Sequence, residues 1–266
     1  MAMNHWLNDG GVQLRMAVFF ALLALMLLLE RLAPRRHSPA LSRLRWPANF
    51  GLLLTGVLLL RLLPLAAIGA ALLARQHGWG LFNLIALPPW LTVVACWLLL
   101  DLAIYWQHRA THVVPLLWRL HRVHHSDIEF DVTTAVRFHP VEIWLSMLWK
   151  IGVVLALGAP PLAVLLFETA LNGLALFNHA NFRLPGDRWL RALLVTPDMH
   201  RVHHAQYRAE IDSNYGNVLS VWDRLFRSYT AQPRDGHETM QIGLGEWRGE
   251  NEQKIAALLL QPFRRG

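Results

Sequence analysis

Four long runs of this chain are nearly free of charge: Met16 to Leu29, Phe50 to Leu73, Trp90 to Trp106 and Ile143 to Phe177. About 20 apolar residues in a helix match the hydrocarbon thickness of a bilayer. The chain as a whole is 54% hydrophobic and 16% charged, too apolar for an ordinary soluble enzyme. The expected fold is therefore all-α: a polytopic membrane protein with about three spans and a helical hairpin, followed by a C-terminal part, 182–266, of soluble character that forms its cap. Twelve Trp suit the two membrane–water interfaces. A net charge of +7 suits contact with an anionic leaflet. Nucleic acid is not an expected partner, because a basic soluble binder would not carry such runs.

The order of the runs sets the topology. The first 14 residues are polar and lack the ordered regions of a secretory signal. Met16 to Ala33 reads as the first span. Pro34 to Arg45 carries Arg35, Arg36, Arg43 and Arg45 and reads as a cytoplasmic loop. Phe50 to Leu73 reads as the second span, interrupted by Arg61 and Pro64; Arg61 either snorkels or faces the bundle interior. Arg75 to Pro89, with Gly78 and Gly80, connects on the far side. The third run then leads straight into His108 on the cytoplasmic side. The fourth is broken by Gly158-Ala159-Pro160-Pro161, so two arms of about 15 residues suit a hairpin, although two tilted spans would give the same topology. Either way the chain returns to the side it left. The segments are thus a transmembrane region at 1–106, a first histidine segment at 107–142, a membrane hairpin at 143–177 and a second histidine segment with the cap at 178–266.

Those two segments hold the chemistry. His108 to His125 has five histidines in 18 residues, and His121-Arg122-Val123-His124-His125 recurs letter for letter as His200-Arg201-Val202-His203-His204. On helices, His108 and His112 share a face, and so do the members of each HxxHH block. Neutral imidazole is the commonest protein metal ligand, and eight such groups suit two ions better than one. A basic patch on anionic lipid is the plainer reading, but it does not account for a doubled HxxHH spacing. The single cysteine, Cys96, excludes an internal disulfide and a cysteine-ligated cluster, leaving histidine and carboxylate as donors.

Seven motifs stand in order: HRATH at 108–112, HRVHHS at 121–126, RFHPVE at 137–142, NHAN at 178–181, TPDMHRVHH at 196–204, NYGN at 214–217 and WDRLF at 222–226. Together they resemble the fatty acid hydroxylase/sterol desaturase superfamily of membrane metal oxygenases. The resemblance implies a cytosolic cap holding two iron ions, with dioxygen as co-substrate. By motif it puts His108, His112, His121, His124, His125, His179, His200, His203 and His204 in ligand positions, with His139 of the FHP box as a tenth. It also implies reaction at an unactivated C–H bond of a lipid such as a sterol, fatty acid or sphingolipid, by hydroxylation or desaturation.

Metal-bound histidines need an acceptor on their other nitrogen. Asp101, Glu142 and Asp198 are candidates for that work. Asp101 equally suits a pair with Arg61, and Asp198 a helix cap. Asn178, Asn181 and Asn214 either orient ligands or close turns. No fused cytochrome domain is visible, so electrons are expected from a separate ferredoxin, cytochrome or reductase. The cytosolic arginines offer it a docking face, or serve only as positive-inside anchors. The rival classes are a zinc-dependent non-redox membrane metalloenzyme acting on lipids, a bis-histidine haem carrier and an inactive lipid-binding scaffold. Zinc is also the ion a purified sample can carry adventitiously.

Overall fold

The computed structural model describes residues 11–37 and 42–265. Residues 1–10, read above as polar and without a signal, lie outside the described residues, as does part of the arginine loop at 38–41. Among the described residues there are no strands, only three isolated bridges. The long helices are α1 (Gly11–Leu32), α2 (Ser42–Leu60), α3 (Ala67–His77), α4 (Pro89–Val113), α5 (Pro115–His125), α6 (Pro140–Leu157) and α7 (Pro161–His179). Shorter helices follow, of which α8 (Pro197–His203) and α9 (Ile255–Leu260) matter here. Prolines open α4, α5, α6 and α7, where the missing N–H costs nothing.

Four helices, α1, α4, α6 and α7, are long and apolar enough to cross a bilayer. Their outward faces carry large apolar side chains such as Phe20, Leu28, Trp90, Val94, Leu148 and Leu166. In water such a surface would be costly; against lipid it is not. The chain is therefore a multi-pass membrane protein. The second expected span is not one helix: α2 ends at Leu60 and α3 starts at Ala67. Pro64 explains the break, since its ring clashes with the carbonyl four residues earlier, which belongs to Leu60. The start of α2 also reaches back to Ser42, so its first turns are polar.

The expected hairpin has arms of 18 and 19 residues, each about 27–29 Å long and each of spanning length. Gly158 makes the turn at φ +64°, and a Cβ on Gly80 would collide with its backbone nitrogen. This glycine contact lets the connection after α3 press against the hairpin tip. Buried Ala67, Ala70, Ala71, Cys96, Leu100, Val154, Val164 and Phe167 form the core between α3, α4, α6 and α7.

The opposite end of the bundle gathers the polar groups. Glu30 at the end of α1 accepts from the backbone N–H of Val132 and Asn181. Arg45 in the first turn of α2 pairs with Asp127 and with Asp131 at 2.7 Å. Arg137, fully buried, donates to the Val123 carbonyl at 2.9 Å, to Ser126 Oγ at 3.1 Å and to Gln253 Oε1 at 3.0 Å. These bonds clamp the loop after α5. Burial alone would raise the Asp127 carboxyl, but Arg45 and Arg137 outweigh it and hold that group at about 2.

Candidate metal centre

The histidines meet at this polar end. Nine buried histidines form two groups, and within each group the ring nitrogens lie within 4.8 Å of one another. One group is His108, His112, His121, His125 and His203; the other is His124, His179, His200 and His204. The sequence expectation that each HxxHH block serves one face is thus refined. In α5, His121 and His125 stand four apart and go to the first group, while His124 turns to the second. In α8 and its cap the division is reversed: His203 joins the first group, His200 and His204 the second. The two blocks interlock, each feeding both groups.

The outer nitrogens fix the tautomers. Nδ1 of His108 faces the Tyr215 carbonyl at 2.7 Å, and Nδ1 of His203 faces the Ser213 carbonyl at 2.6 Å. Nδ1 of His121 meets the Glu142 carboxylate at 2.6 Å. Nδ1 of His124 and His179 face the carbonyls of Arg137 and Ala175, at 3.2 and 2.7 Å. A carbonyl can only accept, so each of these Nδ1 atoms carries the ring's proton. Each neutral ring then turns a bare lone pair inward from Nε2. Yet Nε2 of His203 lies 3.1 Å from Nε2 of His108, and Nε2 of His179 lies 3.2 Å from Nε2 of His124. Neither member of either pair has a proton to offer the other. Facing lone pairs at that distance repel unless a cation lies between them. Two bonds of about 2.1 Å at a right angle leave their nitrogens about 3.0 Å apart, so the spacing fits a shared metal ion.

Electrostatics agree. Burial first, then neighbouring imidazoles, push His124, His125, His200 and His204 well below the ordinary histidine value of 6.5. Burial likewise lowers His203 to about 3. These rings stay neutral at pH 7, the form that binds metal.

The other candidate residues separate clearly. Glu142 touches a histidine of the centre. His139 joins neither group: its Nδ1 accepts from the Val141 N–H and caps α6, and its Nε2 lies 3.3 Å from the Leu259 carbonyl. Asp101 meets neither an imidazole nor Arg61; it accepts from Trp222 Nε1 at 2.8 Å and the Leu219 N–H at 3.1 Å. Asp198 pairs with Arg201 and Arg35, while Thr196 caps α8. Asn178 donates to the Asn217 carbonyl at 2.7 Å, and Asn181 brackets the backbone of Arg36. Asn214, at φ +51°, ties Met199 to Thr230 and lies between the two carbonyls that hold His203 and His108.

That loop gives the last two motifs a physical task. Asp223 accepts from the N–H groups of Tyr215 and Gly216, both at 2.8 Å, and a Cβ on Gly216 would strike its carboxylate. Asp101 grips the neighbouring Trp222, so it acts on His108 only through this chain of contacts. Sequence reasoning missed the carbonyls of Ser213, Tyr215, Ala175 and Arg137. A backbone acceptor leaves no side-chain signal. It also missed Asp212, whose carboxylate approaches Nδ1 of His112 to 3.4 Å.

A cavity of about 700 Å³ opens onto this centre. His108, His121, His124, His179 and His200 line one end, and apolar residues of α1, α2, α6 and α7 line most of the rest. Two buried histidine groups, each of which could hold a metal ion, thus stand at the mouth of a largely apolar cavity in a membrane bundle. The fatty acid hydroxylase family matches residues 93–228, half of the chain, and the chain belongs to that family.

Among relatives, alkylglycerol monooxygenase of Homo sapiens is 34% identical over 167 residues, covering 59% of this chain and 34% of that protein. Ornithine lipid hydroxylase OlsE of Rhizobium tropici is 32% identical over 182 residues, 67% of this chain and 52% of that protein. Very-long-chain aldehyde decarbonylase GL1-5 of Oryza sativa subsp. indica is 28% identical over 165 residues, 58% of this chain and 24% of that protein. The chain thus spans about a third to a half of the first two. No solved structure matches it.

Proposed function

We propose that this chain is a membrane oxidoreductase that uses dioxygen to hydroxylate, or in a variant outcome to desaturate, an unactivated C–H bond of a lipid. The observation that carries the reading is the inward-facing lone pairs of protein-locked imidazoles, which ask for two cations beside an apolar cavity. A hydrocarbon C–H bond offers no acidic proton and no electrophilic carbon, so acid–base or nucleophilic groups cannot attack it. Two iron ions, when bound, supply the redox chemistry with dioxygen that side chains lack. In this reading the nine histidines are their ligands.

The chain's own residues do the rest. Glu142 and the carbonyls of Tyr215 and Ser213 keep the outer ring protons in place, so the inner nitrogens stay available. Leu52, Ile143, Met147 and Leu176 hold the hydrocarbon and exclude water. Names among the relatives, a monooxygenase and a hydroxylase, favour oxygen insertion over desaturation. We place the histidine end in the cytoplasm, supported by Arg35, Arg36 and Arg45 at that end. Electrons then come from a ferredoxin, cytochrome or reductase docked there.

The test is lipid turnover by iron-loaded protein with a reductant under oxygen-18 gas. A labelled product heavier by one oxygen, absent in His124→Ala, supports the reading. Unchanged lipids from a protein without bound metal overturn it. The four-histidine group also matches tetrahedral zinc, and equal turnover of zinc-loaded protein without dioxygen would move the assignment to a non-redox enzyme.

A further inference from the structure

The far end of the same cavity is charged. Arg15 of α1 and Lys150 of α6 both donate to Glu168 of α7, the lysine at 2.9 Å. All three line the cavity, as does Arg61 at the end of α2. Glu168 is buried, and Lys150 and Glu168 sit within helices of membrane-spanning length. Ionisable groups at that depth are costly and rarely without a task.

A charge-balanced clamp would carry one cation for each carboxylate. Here two cations, Arg15 and Lys150, hold one carboxylate, and a third, the exposed Arg61, lines the same cavity with no carboxylate among the described residues paired to it. An excess of positive charge lining a largely apolar cavity calls for an anion. We propose that this end is a binding subsite for the anionic headgroup, carboxylate or phosphate, of a single-chain lipid whose hydrocarbon runs to the histidines.

The helix rise sets the span. Glu168 and His179 are 11 residues apart on α7, about 16 Å; Glu142 and Lys150 are eight apart on α6, about 12 Å. A headgroup held at Lys150 and Arg61 thus leaves the carbons beside it far from the centre. The oxidised carbon lies well down the chain. This last consequence rests on the lipid-oxidation reading; the headgroup subsite does not.

Binding separates the two. The probes are radiolabelled stearate, stearoyl lysophosphatidate and the uncharged stearyl alcohol, measured on the full chain in neutral-lipid nanodiscs. Lys150→Gln leaves Arg15 and Glu168 as a balanced pair, and Arg61→Gln leaves the triad intact, so neither strands a buried charge. The expected result is about tenfold tighter binding of an anionic probe than of the alcohol, with that preference cut at least about threefold in each variant. Preference for stearate alone identifies a carboxylate site; preference for the lysophosphatidate alone identifies a phosphate site. Equal binding of all three probes overturns the proposal. So does an unchanged preference in both variants when helicity and metal content match the parent. If anion binding and its loss are as expected but no chain is oxidised, the functional reading fails and the subsite stands. If oxidation occurs with no anion preference, the reverse holds.

Discussion

The two histidine groups are built from the same helices and held in different ways. In the five-histidine group, three outer nitrogens have close acceptors, at His108, His121 and His203, and one acceptor is the carboxylate of Glu142, while Nδ1 of His112 and of His125 has no hydrogen-bond partner. In the four-histidine group only His124 and His179 are held, both by backbone carbonyls, while Nδ1 of His200 and of His204 has no partner. A charged acceptor raises the basicity of the ligand it orients, and a held ring loses less freedom on binding. On the proposed reading the five-histidine group, with its charged acceptor, is therefore the stronger metal site. The four-histidine group is the looser one.

Removing one ligand from each group tests this difference most directly. His203→Ala leaves four histidines in its group, His112 and His125 without an outer hydrogen bond, whereas His200→Ala leaves only three, His204 without one. We expect His200→Ala to bring bound iron down by about one ion per chain, and His203→Ala to lose less, by elemental analysis of purified protein. Equal losses would end the claim of unequal sites. Glu142→Gln is the next largest effect. It keeps a hydrogen-bond acceptor for His121 but removes the charge, so affinity at the five-histidine group should fall about 10- to 100-fold while the other group holds its ion. A chelator titration followed by an iron absorption band reads both sites in one experiment.

What the sequence disclosed follows from which signals side chains can carry. The HxxHH spacing, the order of the seven motifs and the apolar runs were legible because each is a pattern of residue types. The division of each block between two groups was not. It depends on where α7 and α8 approach α5, and helical periodicity alone puts positions i, i+3 and i+4 on one broad face. The broken second span was half legible: Pro64 stood in the run, but its clash falls on Leu60, well before the end of the apolar stretch. The acceptors for His108 and His203 are carbonyls, which any residue supplies. Lys150 and Glu168 were visible as charges inside the fourth run. Their meaning needed Arg15, which lies over 130 residues away in sequence and meets them only in the folded bundle.

Acid sharpens the comparison with a smaller effect. The folded-state values of His124, His125, His200, His203 and His204 all lie below the unfolded value of 6.5, His203 at about 3. The unfolded chain therefore takes up protons first. Stability of the metal-free protein is fully present above pH 6.5 and is lost as pH falls from there towards the folded values. Melting of metal-free protein should shift steadily downward between about pH 7 and about pH 5, while iron-loaded protein stays flat until its ions leave. A flat metal-free profile would mean that the rings are hydrated and the groups open.

The smallest expected effect belongs to His139, the tenth histidine of the motif set. Its ring works as a cap: Nδ1 takes the Val141 N–H at the start of α6, the helix that carries Glu142. Asparagine is a good N-cap and a poor metal ligand. His139→Asn should therefore keep both ions and change stability by less than about 1 kcal/mol. His139→Ala should lose the cap and cost about 1 kcal/mol, again with both ions in place. If either variant releases an ion, His139 reaches the centre in the loaded protein and the five-histidine group has a sixth member. If neither does, the difference between the two groups is set by Glu142 and the loop at 213–217, since α6 then contributes only an orienting carboxylate and no nitrogen.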